Sequence, residues 1–320
     1  MNAIATMYNP QDCPDEYDLL RKAGFRVDYK QPVQTDSSDV IRQLSGYPWI
    51  IASGEYFPRT VLEALKSAGL RLIVRLGVGY DRVDIRAAGE LGIAVANTPG
   101  ANANAVAEHT LMLTMAVARN AGLCNANMHS GRWATGVKSV DLSGCTVGLV
   151  GFGNIARIFA RMIRPIAGRI LACDPYPNRV AAADLHVELA DLDAVLAHAD
   201  VLSLHLPLTE ESRNMFDLAM FHKLKPGAIF INTSRGEIVQ EDALAAALAD
   251  GTLLGAGLDV YQTEPLPAES PLRKLDNCFM TPHSASMSDD AFHRMTSAAI
   301  HTILKFAAGE SLPNQVNKTC

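Results

Sequence analysis

The sequence lacks the short motifs that mark metal enzymes, serine hydrolases and disulfide-rich secreted proteins. No HExxH, HxxxH or CxxC spacing occurs, so we expect no metal site. No GxSxG segment occurs, so nothing indicates a serine hydrolase. The six cysteines form no dense pattern, and we interpret them as reduced thiols in a reducing compartment.

Long apolar runs and an N-terminal targeting signal are lacking as well. The chain begins with a mixed strand rather than with the basic patch and apolar run of a signal peptide. The apolar stretch 111–117 is too short to span a bilayer. Acidic residues outnumber basic ones by 34 to 28, and a net charge of −6 argues against a nucleic-acid partner. These features predict a soluble, cytoplasmic protein with no membrane partner.

The 320 residues that are present suffice for two domains with sizeable cores. A hydrophobic content of 48% and a charged content of 19% exclude a disordered scaffold. Strand-like and helix-like segments alternate along the chain, which predicts an α/β fold with parallel sheets. The predicted strands of the first part lie near 3–7, 25–29, 48–52, 70–75 and 93–95, with helices near 14–23, 37–44, 58–67 and 82–91. One long helical run from about 102 to 129 follows, and a last amphipathic helix covers about 287–308.

A dinucleotide-binding motif begins halfway along the chain. The apolar segment 146–150 leads into the glycine turn Gly151-Phe-Gly153, and an amphipathic stretch then starts at Asn154 and Ile155. Gly151 would form the tight turn, and Gly153 would let the backbone approach a pyrophosphate, with Ala156 in the third position of the motif. Backbone N–H groups near Asn154 and Ile155 would hold the phosphate charge.

An acidic residue at the end of the next strand strengthens this interpretation. The segment 169–173 is apolar, and Asp174 follows it, 18 residues after Ala156. An acidic residue at about this distance is the expected partner of the adenosine ribose hydroxyls. Because its charge would repel a 2′-phosphate, the sequence predicts NAD rather than NADP as the cofactor.

Three polar residues of the second half, Arg235, Glu264 and His283, each follow a short apolar segment. The carboxyl ends of the strands in an α/β sheet face the ligand crevice, so we expect the three side chains to converge on one small anionic substrate. Histidine exchanges a proton near neutral pH, and arginine forks onto a carboxylate. Taken singly, each residue also fits a plain interpretation as a hydrogen-bonded loop histidine, a solvated glutamate or a surface arginine. Together with the dinucleotide motif, they indicate acid/base chemistry on a 2-oxo or 2-hydroxy acid.

In this order, the motifs resemble those of the D-isomer-specific 2-hydroxyacid dehydrogenases, especially the phosphoglycerate dehydrogenase and hydroxypyruvate or glyoxylate reductase branches. The resemblance extends from about Trp49 to Asn314. Its segments are RLGVGYDRVD (75–84), NTPGANANAVAEHT (97–110), GLVGFGNIA (148–156), LHLPLT (204–209), INTSRGEIV (231–239), LDVYQTEP (258–265) and TPHSA (281–285).

The resemblance implies a role for each member of the trio. His283 corresponds to the proton donor and acceptor, Glu264 to the carboxylate that orients its imidazole, and Arg235 to the residue that binds the substrate carboxylate. The physical chemistry is consistent with these roles. A hydride that arrives at C2 builds negative charge on the carbonyl oxygen, which an imidazolium neutralises and an arginine stabilises. A neighbouring carboxylate favours the protonated form of the imidazole.

The resemblance also implies positions that bind the cofactor and the substrate. The backbone of Gly77, Val78 and Gly79 would cup the substrate carboxylate, because a glycine-flanked turn lets N–H groups approach an anion closely. Val78 would also lie near the nicotinamide, and Asp259 would bind the nicotinamide carboxamide. The other implied cofactor positions are Thr233, Leu206, Pro207 and His283.

The substrate is less well defined than the reaction, and the candidate substrate residues beyond the glycine turn are Ser53, Gly54 and Arg75. Phosphoglycerate dehydrogenases of similar pattern carry an arginine where this chain has Ala52, and Glu55 adds an opposing charge. Arg75, Arg132 and Lys138 are nevertheless basic, so a substrate with a second anionic group remains an alternative. We therefore expect an NAD-dependent D-2-hydroxyacid dehydrogenase that acts on 3-phosphoglycerate, hydroxypyruvate or glyoxylate.

The position of the dinucleotide motif predicts an inserted domain. We expect residues 99–285 to form a Rossmann-type NAD-binding domain, inserted into a flavodoxin-like substrate-binding domain formed by 1–98 and 286–320, with a cleft between them. The resemblance further implies a homodimer that forms through the segment 100–140, and the chain end soon after Asn314 suggests no C-terminal regulatory domain. The alternative function is a non-enzymatic NAD(H)-sensing protein, because relatives of this family act as transcriptional corepressors. An L-lactate-type dehydrogenase would carry its motif near the N-terminus, unlike this chain.

Overall fold

The computed structural model describes residues 3–318. Two compact units form within the chain, one from residues up to 102 together with those from 288 onward, and one from residues 103–287. Each unit is built around its own parallel sheet.

The first unit contains a five-stranded sheet with helices between its strands. Its strands are β1 (Ala3–Thr6), β2 (Arg26–Tyr29), β3 (Trp49–Ala52), β4 (Leu72–Arg75) and β5 (Ala94–Ala96). The helices between them are α1 (Pro14–Lys22), α2 (Ser37–Leu44), α3 (Arg59–Ser67) and α4 (Ile85–Glu90). The strand order β2-β1-β3-β4-β5 is that of flavodoxin-like folds.

The local sequence explains these elements. Strands β3 and β4 are buried along their whole length and read as continuous apolar runs, as strands covered on both faces do. Side chains of Asp36 and Asp84 accept hydrogen bonds from backbone N–H groups at the starts of α2 and α4, which stabilises both helix starts.

The second unit contains a seven-stranded parallel sheet. Its strands are β6 (Thr146–Val150), β7 (Arg169–Cys173), β8 (Glu188–Leu189), β9 (Val201–Leu204), β10 (Ala228–Asn232), β11 (Leu253–Leu258) and β12 (Cys278–Met280). Its helices are α5 (Ala103–Ala118), α6 (Ala121–His129), α7 (Asn154–Ile163), α8 (Arg179–Asp184), α9 (Leu192–His198), α10 (Leu218–Phe221) and α11 (Glu241–Ala249), with 3₁₀ turns at Gly236–Ile238 and Pro271–Lys274. The chain then returns to the first unit in α12 (Asp289–Ala307), whose start is capped by Ser288.

The second sheet has the order of a Rossmann fold, β12-β11-β10-β9-β6-β7-β8. The order reverses between β6 and β9, so the turn after β6 lies at the topological switch point where such sheets bind ligands. Two apolar cores cover the sheet, one around Phe216, Phe221 and Phe230, the other around Phe159.

The predicted fold class is confirmed, because both sheets are parallel and doubly wound. One expectation about the helices was wrong. The run from 102 to 129 is two helices, since Asn120 adopts a left-handed conformation with φ of 50° and ends the first of them. Among residues 3–318, no helix is long and apolar enough to cross a bilayer.

Candidate active site

Three adjacent strands of the second sheet place the predicted catalytic trio at one edge. Strands β10 and β11 pair in parallel with Asn232 opposite Leu258, and β11 and β12 pair with Leu258 opposite Met280. All three strands therefore end at the same level. Arg235, Glu264 and His283 lie in the loops that follow these ends, where α/β sheets bind ligands.

His283 and Glu264 are in direct contact. The imidazole Nδ1 lies 2.8 Å from the Glu264 Oε2 atom, and the other carboxylate oxygen accepts a hydrogen bond of 3.2 Å from the Tyr261 backbone N–H. The histidine side chain is 46% exposed and the glutamate side chain only 19%. Because Glu264 occupies Nδ1, the Nε2 atom is the nitrogen that remains for a substrate.

The loop that carries His283 is held by a buried carboxylate. Asp259 accepts hydrogen bonds from the Thr281 hydroxyl at 2.6 Å, from the Ser284 N–H at 2.8 Å and from the Ala285 N–H at 2.9 Å. The backbone carbonyl of Asp259 also accepts from the His283 N–H at 2.8 Å. His283 itself adopts a left-handed backbone with φ of 50°, so these contacts stabilise an uncommon conformation.

His109 joins this network from helix α5. Its Nε2 lies 2.8 Å from the Thr281 hydroxyl and 3.4 Å from the Asp259 carboxylate. Burial would raise the pKa of Asp259, but the hydrogen bonds from His109, Thr281 and the loop N–H groups outweigh it and lower this pKa below its usual value. Asp259 is therefore an ionised, fully satisfied anchor beside the catalytic loop. No sequence motif indicates this contact of His109, because its partners Asp259 and Thr281 lie 150 and 172 positions further along the chain.

Arg235 lies in a loop that presses against the neighbouring one. Its guanidinium donates to the Ser234 carbonyl at 2.7 Å, and its own carbonyl accepts from the Asn232 amide at 2.9 Å. A Cβ at the next residue, Gly236, would lie 1.9 to 2.4 Å from the Tyr261 backbone, so only glycine fits there. The loop of Arg235 and the loop that leads to Glu264 are thus in backbone contact.

The dinucleotide motif has the expected local geometry. Gly151 adopts φ of 94°, and a Cβ on it would lie 2.4 Å from the His205 carbonyl oxygen. Gly153 precedes α7, is exposed, and has open space where a Cβ would be. Asp174 reaches back to this turn, because its carboxylate accepts from the Phe152 N–H at 2.7 Å. The structure therefore brings together the glycine turn and the acidic residue that the sequence paired by spacing.

The other predicted cofactor positions of this unit line the same sheet edge or lie near it. Asn154 and Ile155 form the first turn of α7, so the free N–H groups of a ten-residue helix start there. Leu206 and Pro207 follow β9, and Thr233 follows β10 with its hydroxyl 2.9 Å from that of Thr110. These residues fit a dinucleotide, since they surround the switch point of the sheet.

His205 directly precedes Leu206, and its imidazole is not suited to acid/base chemistry. Its Nε2 lies 3.0 Å from the Ser203 hydroxyl, and burial lowers its pKa to about 3. The ring is therefore neutral near pH 7 and does not suit a proton donor at that pH.

The predicted substrate residues Ser53, Gly54, Arg75, Gly77, Val78 and Gly79 all lie in the first unit. Gly77 adopts φ of 102°, and its N–H donates to the Thr98 hydroxyl at 2.7 Å. The Asn97 amide donates to the Val78 carbonyl at 2.8 Å, while the Val78 side chain is 46% exposed. The glycine turn is thus held from below by polar contacts and presents its tip to solvent.

A buried acidic residue lies beside Ser53 in the same unit. Glu55 is 2% exposed, and its carboxylate accepts from the Ser53 N–H at 2.6 Å. Burial raises the pKa of Glu55, and the positive charge of the equally buried Arg75 opposes that rise. The Ser53 hydroxyl also lies 2.8 Å from the Tyr8 hydroxyl, a contact that the sequence did not reveal. The remaining basic candidates, Arg132 and Lys138, are exposed residues of the second unit.

Comparison with known proteins identifies the family. The model of the D-isomer specific 2-hydroxyacid dehydrogenase NAD binding domain matches residues 111–285. The chain is 34% identical over 302 residues to a D-3-phosphoglycerate dehydrogenase of Archaeoglobus fulgidus. The matched region covers 94% of this chain and 56% of that protein. It is 37% identical over 254 residues to a glyoxylate reductase of Korarchaeum cryptofilum, with coverage of 78% and 76%. The crystal structure of an NAD-dependent formate dehydrogenase from Staphylococcus aureus in complex with NAD superimposes with a TM-score of 0.88, at 26% identity and full coverage of both chains.

The chain belongs to the D-isomer specific 2-hydroxyacid dehydrogenases, a family of NAD-dependent oxidoreductases. The resemblance drawn from the sequence motifs is therefore confirmed. The chain spans little more than half of the length of the phosphoglycerate dehydrogenase that it matches.

The two glycines of the dinucleotide motif provide a test of this local geometry. We expect Gly151→Ala to lower the free energy of unfolding by about 2 kcal/mol or more, because the new Cβ meets a backbone carbonyl in a left-handed conformation. The matched variant Gly153→Ala has φ of −75° and open space, so its stability should stay within about 0.5 kcal/mol of wild type. Urea unfolding followed by circular dichroism measures both. Equal stability of the two variants would contradict the assigned turn.

Proposed function

We propose that this protein is an NAD-dependent D-2-hydroxyacid dehydrogenase that reduces small, unphosphorylated 2-oxo acids. The observation that carries the proposal is the 2.8 Å contact between His283 Nδ1 and Glu264, next to the Arg235 loop, at the carboxyl edge of an NAD-binding sheet. A neutral carbonyl becomes an alkoxide in this reaction, so it needs a proton donor and a cation at that edge.

When bound, NAD(H) supplies or accepts the hydride at C2 of the substrate. His283 Nε2 then gives the proton to the substrate oxygen in the reducing direction and removes it in the oxidising direction. Glu264 holds the ring through Nδ1, which fixes the nitrogen that faces the substrate. Arg235 binds the substrate carboxylate and stabilises charge on the carbonyl oxygen. The backbone amides of Val78 and Gly79 are the predicted further donors to the carboxylate, whereas the Gly77 amide donates to the Thr98 hydroxyl.

The chain has a consistent set of residues for the cofactor. Asp174 binds the adenosine ribose, the α7 start at Asn154 and Ile155 binds the pyrophosphate, and Gly153 lets the backbone approach it. Thr233, Leu206 and Pro207 line the groove, and Val78 lies against the nicotinamide. Asp259 remains a predicted contact of the nicotinamide carboxamide, although its carboxylate already accepts hydrogen bonds from the catalytic loop.

The charge balance of the first unit supports an unphosphorylated substrate. A phosphate group needs uncompensated positive charge. Arg75, the basic residue among the predicted substrate positions of this unit, interacts instead with the buried carboxyl group of Glu55. Position 52, where the phosphoglycerate dehydrogenases of similar pattern carry arginine, is Ala52. Hydroxypyruvate and glyoxylate fit this balance better than 3-phosphohydroxypyruvate does.

The substrate class can be measured by NADH oxidation with a panel of 2-oxo acids. We expect kcat/KM for hydroxypyruvate or glyoxylate to exceed that for 3-phosphohydroxypyruvate at least about tenfold, a difference of about 1.4 kcal/mol. A preference for the phosphorylated acid would overturn the assignment of the substrate but not of the reaction. NADH binding without turnover of any acid would instead favour the sensor function.

The same assay tests the catalytic histidine. We expect His283→Asn to lower kcat by about 10² to 10⁴-fold, because general acid catalysis is lost, with NADH affinity close to wild type. Asparagine is chosen since it tolerates the left-handed backbone of this position. His198→Asn, an exposed histidine on α9, is the matched control. Unchanged turnover in His283→Asn would remove this residue from the mechanism.

The preference for NAD is expected to depend on the charge of Asp174. In Asp174→Asn an amide oxygen still accepts from a backbone N–H, but the negative charge that repels a 2′-phosphate is gone. The ratio of NADH to NADPH affinity should therefore fall, while the exposed control Asp184→Asn leaves it unchanged. Isothermal titration calorimetry gives both affinities. If the ratio is the same as in wild type, the ribose assignment is wrong.

We also propose a homodimer that forms through the segment 100–140, and a cytoplasmic location in which the cysteines stay reduced. Several large apolar side chains of this segment are exposed, namely Met112, Met115, Met128 and, at 80% exposure, Trp133. Exposed apolar groups of this kind, clustered along one stretch of chain, are typical of subunit interfaces.

Sedimentation equilibrium tests the assembly. Wild type is expected at twice the chain mass of 34.4 kDa. A charge in the interface should weaken association, so Trp133→Asp should shift the protein toward the monomer. Val180→Asp places the same charge at a comparably exposed apolar residue outside the segment and should leave the dimer intact. A monomeric wild type would refute this proposal.

A further inference from the structure

Helices α1 and α12 of the first unit bring together three metal-ligating side chains that the proposed reaction does not use. The Cys13 thiol precedes α1, Glu16 lies in its first turn, and His293 lies near the start of α12. The three ligand atoms lie within 4.8 Å of one another. Because Cys13 and His293 are 280 positions apart, no short motif in the sequence could indicate this cluster.

We propose that Cys13, Glu16 and His293 form a binding site for a zinc-type divalent cation. This proposal is independent of the dehydrogenase function. It also departs from the expectation of no metal site, which rested only on the lack of short ligand motifs.

The distances suit a tetrahedral ion. With ordinary zinc–sulfur and zinc–nitrogen bonds, a tetrahedral angle places the two ligand atoms about 3.6 Å apart. Cys13 Sγ and His293 Nδ1 are 3.5 Å apart. Tetrahedral nitrogen and oxygen ligands are about 3.3 Å apart, whereas Nδ1 and Glu16 Oε1 are 2.8 Å apart. Only the carboxylate needs to withdraw, by about half an ångström, to exchange its hydrogen bond for a metal bond.

The arrangement of the imidazole favours an ion over a catalytic relay. In a nucleophile–histidine–carboxylate triad, the two partners contact different ring nitrogens. Here the thiol and the carboxylate both approach Nδ1. A single cation in front of that lone pair satisfies all three groups at once. A thiolate and an imidazole exclude magnesium and calcium, which prefer oxygen ligands, and select a softer ion such as zinc.

A buried hydroxyl beside the thiol gives a second, independent indication. Thr296 is completely buried, and its hydroxyl has no hydrogen-bond partner that meets normal geometry among residues 3–318. Burial raises the pKa of the Cys13 thiol, and the neighbouring Thr296 hydroxyl acts in the opposite direction. A metal-bound thiolate would be a stronger acceptor for this hydroxyl than the neutral thiol is, in the manner of the outer hydrogen bonds that orient metal ligands.

The surroundings are suitable for a cation and leave one position open. Besides Glu16, the acidic groups that face His293 are Asp289 and Asp290, whose negative charge favours a cation. Asp12 adds negative charge near the thiol. The His293 side chain is 48% exposed and that of Glu16 is 18% exposed, so the ion has a route from solvent, and water can complete its coordination.

Support for the site comes from the core beneath it. Cys13 and, from α1, Tyr17 and Leu20 pack with Ala299 and Ile300 of α12 in one apolar cluster. The two helices are therefore already fixed, and the ion would join their starts without a rearrangement. A ligand that binds only the folded state raises its stability, so zinc should stabilise this unit.

Cobalt titration of metal-free protein tests the proposal, because a cobalt–thiolate bond produces a charge-transfer band in the near ultraviolet. We expect one equivalent of Co²⁺ to generate this band and Zn²⁺ to abolish it. Cys13→Ser should remove the band, and His293→Ala should weaken affinity at least about tenfold. His301→Ala, on an exposed part of the same helix, and Cys145→Ser are the matched controls and should behave as wild type.

Two further measurements keep the test decisive. Zn²⁺ should raise the thermal unfolding midpoint of wild type but not of His293→Ala, whose side chain is at the surface and not needed for folding. If Cys13→Ser does not fold, His293→Ala and Glu16→Gln still give the answer. The His283–Glu264 pair has no thiol, so a metal bound there would not produce the band. The proposal is overturned if wild type gives no band, or if the band survives in both His293→Ala and Cys13→Ser. Glu16 and His293 would then be only an ion pair next to a core thiol.

Discussion

The buried carboxylate of Asp259 is the contact on which the position of the His283 loop depends. An ionised group without exposure is costly unless donors satisfy it, and here the donors come from Thr281, Ser284 and Ala285, which flank His283. Any conformation that turned this loop away would leave the carboxylate unsatisfied. The position of the imidazole is thus set mainly from beneath, by a residue that it does not touch with its ring, while Glu264 sets which nitrogen is free.

The strand pairing of the sheet and the glycine turns position the loops that Asp259 does not contact. In-register pairing of β10, β11 and β12 brings three loops to one level, although the residues they carry are separated by 19 to 48 positions in the chain. At the other side of the switch point, the left-handed Gly151 lets the chain turn close under a neighbouring carbonyl, and Asp174 is held against the same turn. Precision at the site therefore comes from backbone geometry, and the chemistry comes from side chains placed on it.

Local patterns in the sequence were sufficient for the features that have a local cause. Apolar runs predicted the strands, and the glycine motif followed by Asp174 picked out two segments that the structure joins by the hydrogen bond from the Phe152 N–H to Asp174. Features with distant partners were not predictable in this way. The role of His109 depends on Thr281, and the surroundings of Ser53 depend on Tyr8, neither of which any spacing rule connects. The break at Asn120 was missed because an apolar helical pattern continues on both sides of it.

The backbone contact between Gly236 and Tyr261 has a consequence for how this site can vary. With no room for even one carbon atom between them, the loop of Arg235 and the loop that ends at Glu264 fit each other as a single rigid piece. Neither loop can shift alone, so a displacement of the Arg235 loop has to be accompanied by the loop that leads to Glu264. Under the proposed function, adaptation to larger or smaller acids is then expected in other side chains rather than in the distance between these two loops.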